Sequence, residues 1–395
     1  MKREDTELLE EFKKSRNLTQ KTLNGYKTTL RLYIKIQGKT FKQLLYEAEQ
    51  EEIKGIRWKN RQLKQRLITF RTYLIENQYY EKSLKEYMSR IRTLYRHHEI
   101  EIHPLPKMSD KNITKPAPIS YRDLPDKEQI RKALDISTPL QKALILFMSS
   151  SGCARKETLT LTIQDFIDAT FDYHHSNDIA EIIKKLNNRN DIIPMFKVHR
   201  KKTNKYYITF CSPEATKAII NYLIDRIGKL PKGQTIYDKL KPELPLFKIN
   251  NKYITDQFGV INQKLELGHA GPYRKFRTHM LRKWHASTLY NDGMSRDDIN
   301  DLQGKAKNRT DQSYFFEDPL KLKEKYIQHL DAITINLDIK KLDIKSPEYI
   351  ELETTNQELE EKVQQQQNKY ESIIKRIEAL ENRSDEEILN KFKKK

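Results

Sequence analysis

Pro104, Pro106, Pro116 and Pro118 fall in one short stretch of a chain that otherwise reads as helix after helix. Proline fixes φ, removes a backbone donor and biases the residue before it toward extended geometry, so no helix crosses this stretch. Mixed with Lys, Ser, Asp and Asn, it predicts a linker of polyproline II character over residues 104–124. With 395 residues there is room for two or three cores. The break therefore divides a smaller helical domain, residues 1–103, from a larger one, residues 125–320.

Apolar spacing fills in the first domain. Thr19 is placed to cap a helix with Leu23, Tyr26, Leu30, Tyr33 and Ile34 on one face. A second helix is predicted from Trp58 to Glu76, with Leu63, Leu67, Phe70, Leu74 and Ile75 inward. A third turns Leu84, Tyr87, Ile91, Leu94 and Tyr95 inward and leaves Lys85, Arg92 and Arg96 on its other faces. In the second domain, Thr138-Pro139 supplies a cap followed by proline in the first turn, and Gly152 a helix-ending residue. Residues 172–191 are polar and Asn-rich and read as a loop. Ile192–His199 and Tyr206–Cys211 are strand-like and flank the basic tip Arg200-Lys-Lys-Thr-Asn-Lys205.

A connecting helix is expected over residues 321–345. From Tyr349 onward a heptad emerges, with Val363, Tyr370 and Ile377 on one seam and Leu359, Ile373 and Leu380 on the other. Asn356 and Gln366 interrupt it with polar positions of the kind that fix register, so residues 346–384 read as a coiled coil. Residues 385–395 form a charged tail expected to be disordered. The fold class is thus mainly α: a helical domain, an α-rich domain with a small antiparallel β-hairpin, and a C-terminal coiled coil.

Charge narrows the partner. The net charge is +19, and residues 346–395 are slightly acidic, so the basic excess lies in the body of the chain. Such a body calls for a polyanion, most commonly nucleic acid. Two cysteines, Cys153 and Cys211, form no disulfide framework and have no metal-ligand neighbours at useful spacing. No apolar run is long enough to span a bilayer, and the charged start Met-Lys-Arg-Glu-Asp-Thr lacks a secretory pattern. A cytoplasmic, nucleoid-associated protein with no membrane partner is expected.

The chemistry concentrates late in the chain. Thr278-His-Met-Leu-Arg-Lys-Trp-His285 puts His279 and Arg282 on one helical turn. Gly304-Lys305 follows, and Tyr314 comes nine residues later. Cutting a DNA strand without metal or ATP needs a nucleophile for phosphorus, cations for the equatorial oxygens and a proton donor for the leaving 5′ oxygen. A tyrosine phenol suits the first task, and the guanidinium fork suits the second because it matches two phosphate oxygens. A lysine or histidine suits the third.

On these residues the chain resembles the tyrosine recombinases, or phage-type integrases, in an archaeal-like or viral-like form with an added coiled coil. The family pattern is Arg…Lys…His-x-x-Arg…His/Trp…Tyr. His279-Met-Leu-Arg282 matches the His-x-x-Arg box. Leu302-Gln-Gly-Lys305 is similar to the family's Leu-Leu-Gly-His turn, and Gln312-Ser-Tyr314 stands where the nucleophile belongs. Gly152-Cys-Ala-Arg-Lys-Glu-Thr-Leu-Thr-Leu161 is similar to the first box, and Lys202-Thr-Asn-Lys205 to the hairpin lysine loop. There are two departures. Lys305 occupies a place usually held by His or Trp, and without a gap the first-box arginine falls on Ala154, one residue before Arg155. The resemblance covers roughly residues 10–320.

The resemblance implies a site-specific DNA recombinase acting in integration, excision or resolution. Tyr314 would form a 3′-phosphotyrosine, Arg155 and Arg282 would hold the phosphate, and Lys202 would protonate the leaving oxygen. His279 and Lys305 would assist. It implies no cofactor and no metal, a double-stranded attachment site gripped between the two domains, and four protomers on two sites. The alternatives are a type IB topoisomerase or telomere resolvase with the same chemistry, and an architectural DNA-binding protein that does not cut.

Overall fold

The computed structural model describes residues 2–201, 204–228, 235–305 and 318–336, with the isolated positions 362 and 366. It divides into two compact units, Met1–Pro118 and Ile119–Lys395, parted inside the proline-rich stretch.

The first unit has five helices: α1 (Arg3–Ser15), α2 (Gln20–Gln37), α3 (Phe41–Ile53), α4 (Gln62–Glu76) and α5 (Glu81–His97). The Thr19 hydroxyl caps α2 by accepting from Thr22 N, and Gly38 closes that helix at φ 68°. Thr40 and Gln43 form a reciprocal capping box on α3. Leu23, Leu30 and Tyr33 of α2 meet Leu67, Phe70 and Leu74 of α4 and Ile91, Leu94 and Tyr95 of α5 in one core. Its polar seam is the Tyr33–Tyr95 hydroxyl pair, 3.1 Å apart and buried. Helix α4 begins at Gln62, not at Trp58: Trp58–Asn60 is a 3₁₀ turn and Arg61 is extended, its guanidinium held by Ile56 O and Glu52. The proline stretch runs along this unit, where Pro106 O accepts from Arg71 and Thr114 O from Glu81 N.

The second unit starts with α6 (Lys127–Asp135) and α7 (Pro139–Ser151), both opened by capping boxes. As its cap signals predict, α7 has Pro139 in its first turn and ends at Gly152, which lies in the left-handed region at φ 64°. Residues Ala143–Ser151 are all buried, and α7 is the central helix of the unit. Each fully buried Leu, Ile or Phe there contributes about 1.5–3 kcal/mol.

The short α8 (Arg155–Thr158) and α9 (Ile163–Ala169) follow, then α10 (Ile179–Asn187). The stretch expected to be a loop thus contains a helix. Ile179, Ile182, Ile183 and Leu186 are buried at helical spacing, which the surrounding His and Asn residues obscure. Strands β1 (Met195–Arg200) and β2 (Lys205–Phe210) pair antiparallel, with Arg200 opposite Lys205 and Val198 opposite Tyr207. Helices α11 (Pro213–Ile227), α12 (Ile236–Lys239) and α13 (Asn251–Lys264) come next. The short antiparallel pair β3 (His269–Ala270) and β4 (Tyr273–Arg274) leads to α14 (Thr278–Asn291) and α15 (Arg296–Leu302).

Helices α11 and α14 both pack on α7. Residue 318 is followed by the helices Pro319–Gln328 and Leu330–Ile333, parted at His329, so the described part of the stretch expected to be a connecting helix over 321–345 is two short helices; residues 337–345 lie outside the described residues. Leu322, Tyr326, Leu330, Ile333 and Ile335 join the same core as α7 and α14. The Tyr326 hydroxyl donates to Ser150 O on α7. The buried Glu214 carboxylate accepts from Ile335 N and Asn336 N. The chain is therefore mainly α with small antiparallel hairpins, the class its sequence predicts. Apart from positions 362 and 366, the heptad region lies outside the described residues, as does the charged tail. Among the described residues no helix is long and apolar enough to cross a membrane.

Candidate active site

Glu157 gathers the site. It is buried at the end of α8's first turn, and its Oε2 accepts from Ala154 N at 2.8 Å and from the Tyr207 hydroxyl at 2.9 Å. Arg282 Nη1 approaches the same oxygen at 3.4 Å, while Arg200 Nε lies 3.2 Å from Oε1. One carboxylate thus bridges two guanidiniums brought from α14 and from the end of β1. Charge-assisted bonds of this kind are about twice as strong as neutral ones.

Arg282 is pinned from three directions. Besides Glu157, its Nη1 donates to Gly152 O at 2.6 Å and its Nη2 to Gln303 O at 2.6 Å. Gln303 answers by donating from its amide to Arg282 O at 3.0 Å, which locks the turn after α15 onto α14. Gly152 supplies its carbonyl from the left-handed turn that ends α7, where a Cβ would stand 2.6 Å from His285 Nδ1. Only glycine fits both the conformation and the space. Arg200 reaches the same turn, donating to Gly304 O and, at 3.4 Å, to Gln303 O.

Lys305 follows directly. It lines a cavity of about 650 Å³ with Tyr121, Ser287, Tyr290, Arg296 and Asn300. Partial desolvation, then the positive fields of Arg282, Arg296 and Arg200, hold its ammonium below the usual lysine pKa. His279 stands at the exposed start of α14, one turn before Arg282. Desolvation by the neighbouring chain, then Arg277, Lys283 and Arg282, lowers its pKa, which favours a neutral imidazole near neutral pH. His285 is fully buried beneath this layer, 3.2 Å from the Gln303 amide. Burial, reinforced by Arg282 and Lys305, pushes its pKa down to about 3.

Of the residues expected from sequence, the structure brings Arg282, His279 and Lys305 into one electrostatic neighbourhood. Arg155 points elsewhere: it is the first residue of α8 and donates to the Thr255 hydroxyl on α13. Lys202 and Tyr314 lie outside the described residues. Sequence reasoning missed Glu157, Gln303 and Arg200 as parts of the site. For Arg200 a signal exists. Alternation along β1 puts it on the face of the buried Phe196 and Val198 and sets it apart from Lys197 and His199. Cys153 and Cys211 are buried free thiols, raised to about 11 and about 12 mainly by desolvation, and are inert. Among the described residues no group of His, Cys, Asp and Glu is arranged to hold a metal ion.

No protein-family model matches the chain, and no curated protein does. Similar folds occur among solved structures. An integrase of the transposon Tn1549 in complex with circular intermediate DNA is 14% identical with a TM-score of 0.47, over 82% of this chain and 99% of that one. The XerH site-specific recombinase bound to its difH substrate is 18% identical with a TM-score of 0.46, over 81% and 83%. A lambda integrase dimer bound to a core site is 15% identical with a TM-score of 0.44, over 79% and 97%.

Proposed function

We propose that this protein is a site-specific DNA recombinase that cuts and rejoins strands through a covalent 3′-phosphotyrosine, with Tyr314 as nucleophile. The observation that carries this reading is the cationic cluster at the turn after α15. There Arg282 and Arg200 share one carboxylate beside Lys305, nine residues ahead of Tyr314 in the chain. Two guanidiniums on one carboxylate, with Lys305 on the adjoining turn, leave an excess of positive charge, which a phosphodiester partly offsets.

In the proposed step the Tyr314 phenol oxygen bonds to the scissile phosphorus as its proton leaves. The P–O5′ bond breaks, and the 5′ oxygen takes a proton and departs as a hydroxyl. The phosphodiester count is unchanged, so the reverse attack by another strand's 5′-hydroxyl needs no external energy. Arg282 enters pre-aimed, because carbonyls from two loops fix its fork before DNA arrives. His279, favoured neutral, is suited to accept or relay a proton. Lys202 is assigned the protonation of the leaving oxygen, and Lys305, whose lowered pKa lets it give up a proton more readily than a free lysine, assists. The basic body of the chain, Met1–Lys345, would bind the duplex in a cytoplasmic, nucleoid-associated setting. Four protomers would act on two sites, with residues 346–384 adding an assembly contact.

The test uses a pool of nicked duplexes of randomised sequence, in which the short fragment beyond the cut diffuses away and traps the intermediate. Wild type is expected to give a protein–DNA adduct stable on a denaturing gel, and Tyr314→Phe none. Sequencing the captured DNA defines the target. An adduct that persists in Tyr314→Phe removes the assignment. Binding without any adduct favours the non-cutting architectural reading.

A further inference from the structure

The first-box arginine implied by the family resemblance is missing from its place. Ala154 stands there, and the next residue, Arg155, is turned to Thr255. Two steps along a helix rotate a side chain by about 200°, so Arg155 and Glu157 project from opposite sides of α8, and Glu157 is the one that faces Arg282. A phosphate with two non-bridging oxygens is nonetheless best held by two guanidiniums.

We infer that Arg200, from the end of β1, supplies the second phosphate-holding guanidinium in place of Arg155. This deepens the recombinase reading and rests on it. Three observations support it. Arg200 and Arg282 share both a carboxylate and a carbonyl: Glu157 lies between them, and Gln303 O accepts from each. The two guanidiniums are therefore close neighbours. Strand alternation aims Arg200 inward over Val198, and its side chain keeps 20% exposure where Arg282 keeps 9%, so it forms the solvent-side edge of the pair. Lastly, Arg200 donates to Gly304 O, the carbonyl directly before Lys305, so its guanidinium stands at the turn that carries that cation. Holding like charges together without a bound anion is unfavourable, and a phosphodiester relieves it.

A staple role, tying Glu157 to the turn at Gln303 and Gly304, predicts the same loss of activity on simple deletion. The charge on the phosphate separates the two roles. The duplex identified by capture is synthesised with either an ordinary phosphate or a neutral methylphosphonate at the scissile position. Adduct formation is then timed for wild type, Arg200→Ala, Arg200→Lys and Arg155→Ala. On phosphate, Arg200→Ala is expected to slow the adduct by roughly 10²–10³-fold, the usual cost of one pre-aimed donor. Arg200→Lys should lose less, and Arg155→Ala less than Arg200→Ala. On methylphosphonate, where no charge needs holding, the gap between wild type and either Arg200 variant should shrink to under about tenfold. Arg200→Lys keeps a cation in the strand and guards against a misfolded alanine variant.

An Arg200 penalty equal on both substrates reduces the residue to a staple and overturns the inference. So does a large, methylphosphonate-sensitive loss in Arg155→Ala with little in Arg200→Ala. A wild-type protein that forms no adduct removes the recombinase reading itself, an outcome distinct from either of these.

Discussion

His285 should make the second unit sensitive to acid. The imidazole is fully buried on α14, and the Gln303 amide lies 3.2 Å from its Nδ1. Because that amide nitrogen also donates to Arg282 O, it presents a hydrogen to His285, so Nδ1 accepts and the ring is neutral. Burial, then Arg282 and Lys305, depresses the folded pKa from 6.5 to about 3. Between those values the unfolded chain binds a proton that the folded chain refuses. Stability from this residue is therefore complete above about pH 6.5 and is lost as pH falls toward about 3. Each pH unit in that window costs up to about 1.4 kcal/mol, so going from pH 7.5 to 4.5 should remove about 2.5 kcal/mol.

Urea unfolding followed by Trp284 fluorescence reads the second unit when Trp58, the other tryptophan, is replaced by Phe. Other titrating groups cancel when the same protein is compared with His285→Gln in that background. The variant should be less stable at pH 7.5 yet lose about 2.5 kcal/mol less on acidification. Identical pH dependence in the two proteins would refute the argument, because the imidazole would then be titrating as freely in the folded state as in the unfolded one.

Two further outcomes follow from the same neighbourhood. Gly152→Ala adds left-handed strain and a Cβ 2.6 Å from His285 Nδ1, whereas Gly268→Ala, at φ 68°, meets nothing within 4 Å. The first should cost roughly 2–5 kcal/mol in urea unfolding and the second only about 1, and equal costs would deny the close approach. Lys305→Arg replaces an ammonium of lowered pKa by a group that does not titrate, so the alkaline decline in adduct rate should move to higher pH than in wild type. An unmoved decline means that the Lys305 proton is not used.

Much of this architecture is readable from local pattern, because caps and apolar spacing act within a few residues. Thr19, Thr40 and Thr138 cap their helices, and Gly38 and Gly152 end them in the left-handed region. Even the burial of His285 is legible in outline, since Leu281, His285 and Leu289 form one stripe at i, i+4 and i+8. The helix Ile179–Asn187 escapes notice because the His-, Ser-, Asn- and Asp-rich residues on either side of it are typical of loops. The site is harder to read because its decisive contacts are long-range. Arg282 meets Gly152 O and Glu157 across more than a hundred residues, and Arg200 meets Gln303 and Gly304 across a similar gap. No local rule specifies which carbonyls will converge. The signature's spacing marks Arg282, but it assigns the second arginine to α8, where the helix turns it away.

Glu157 explains how that second arginine can come from a strand. A buried carboxylate in a phosphate site repels its ligand, so its presence needs a compensating gain. Two guanidinium charges about 4 Å apart repel by about 4 kcal/mol at an effective dielectric of 20, enough to splay an unsupported pair. Glu157 offsets this with one charge shared between both, and the Tyr207 hydroxyl and Ala154 N fix its carboxylate in place. The result is a pair of cations held in position before the ligand arrives, still carrying net positive charge with Lys305 beside them. Such a site requires a guanidinium on each side of Glu157 but does not require both to come from helices. Arg200 reaches it from β1 because the hairpin packs against α8 and α15.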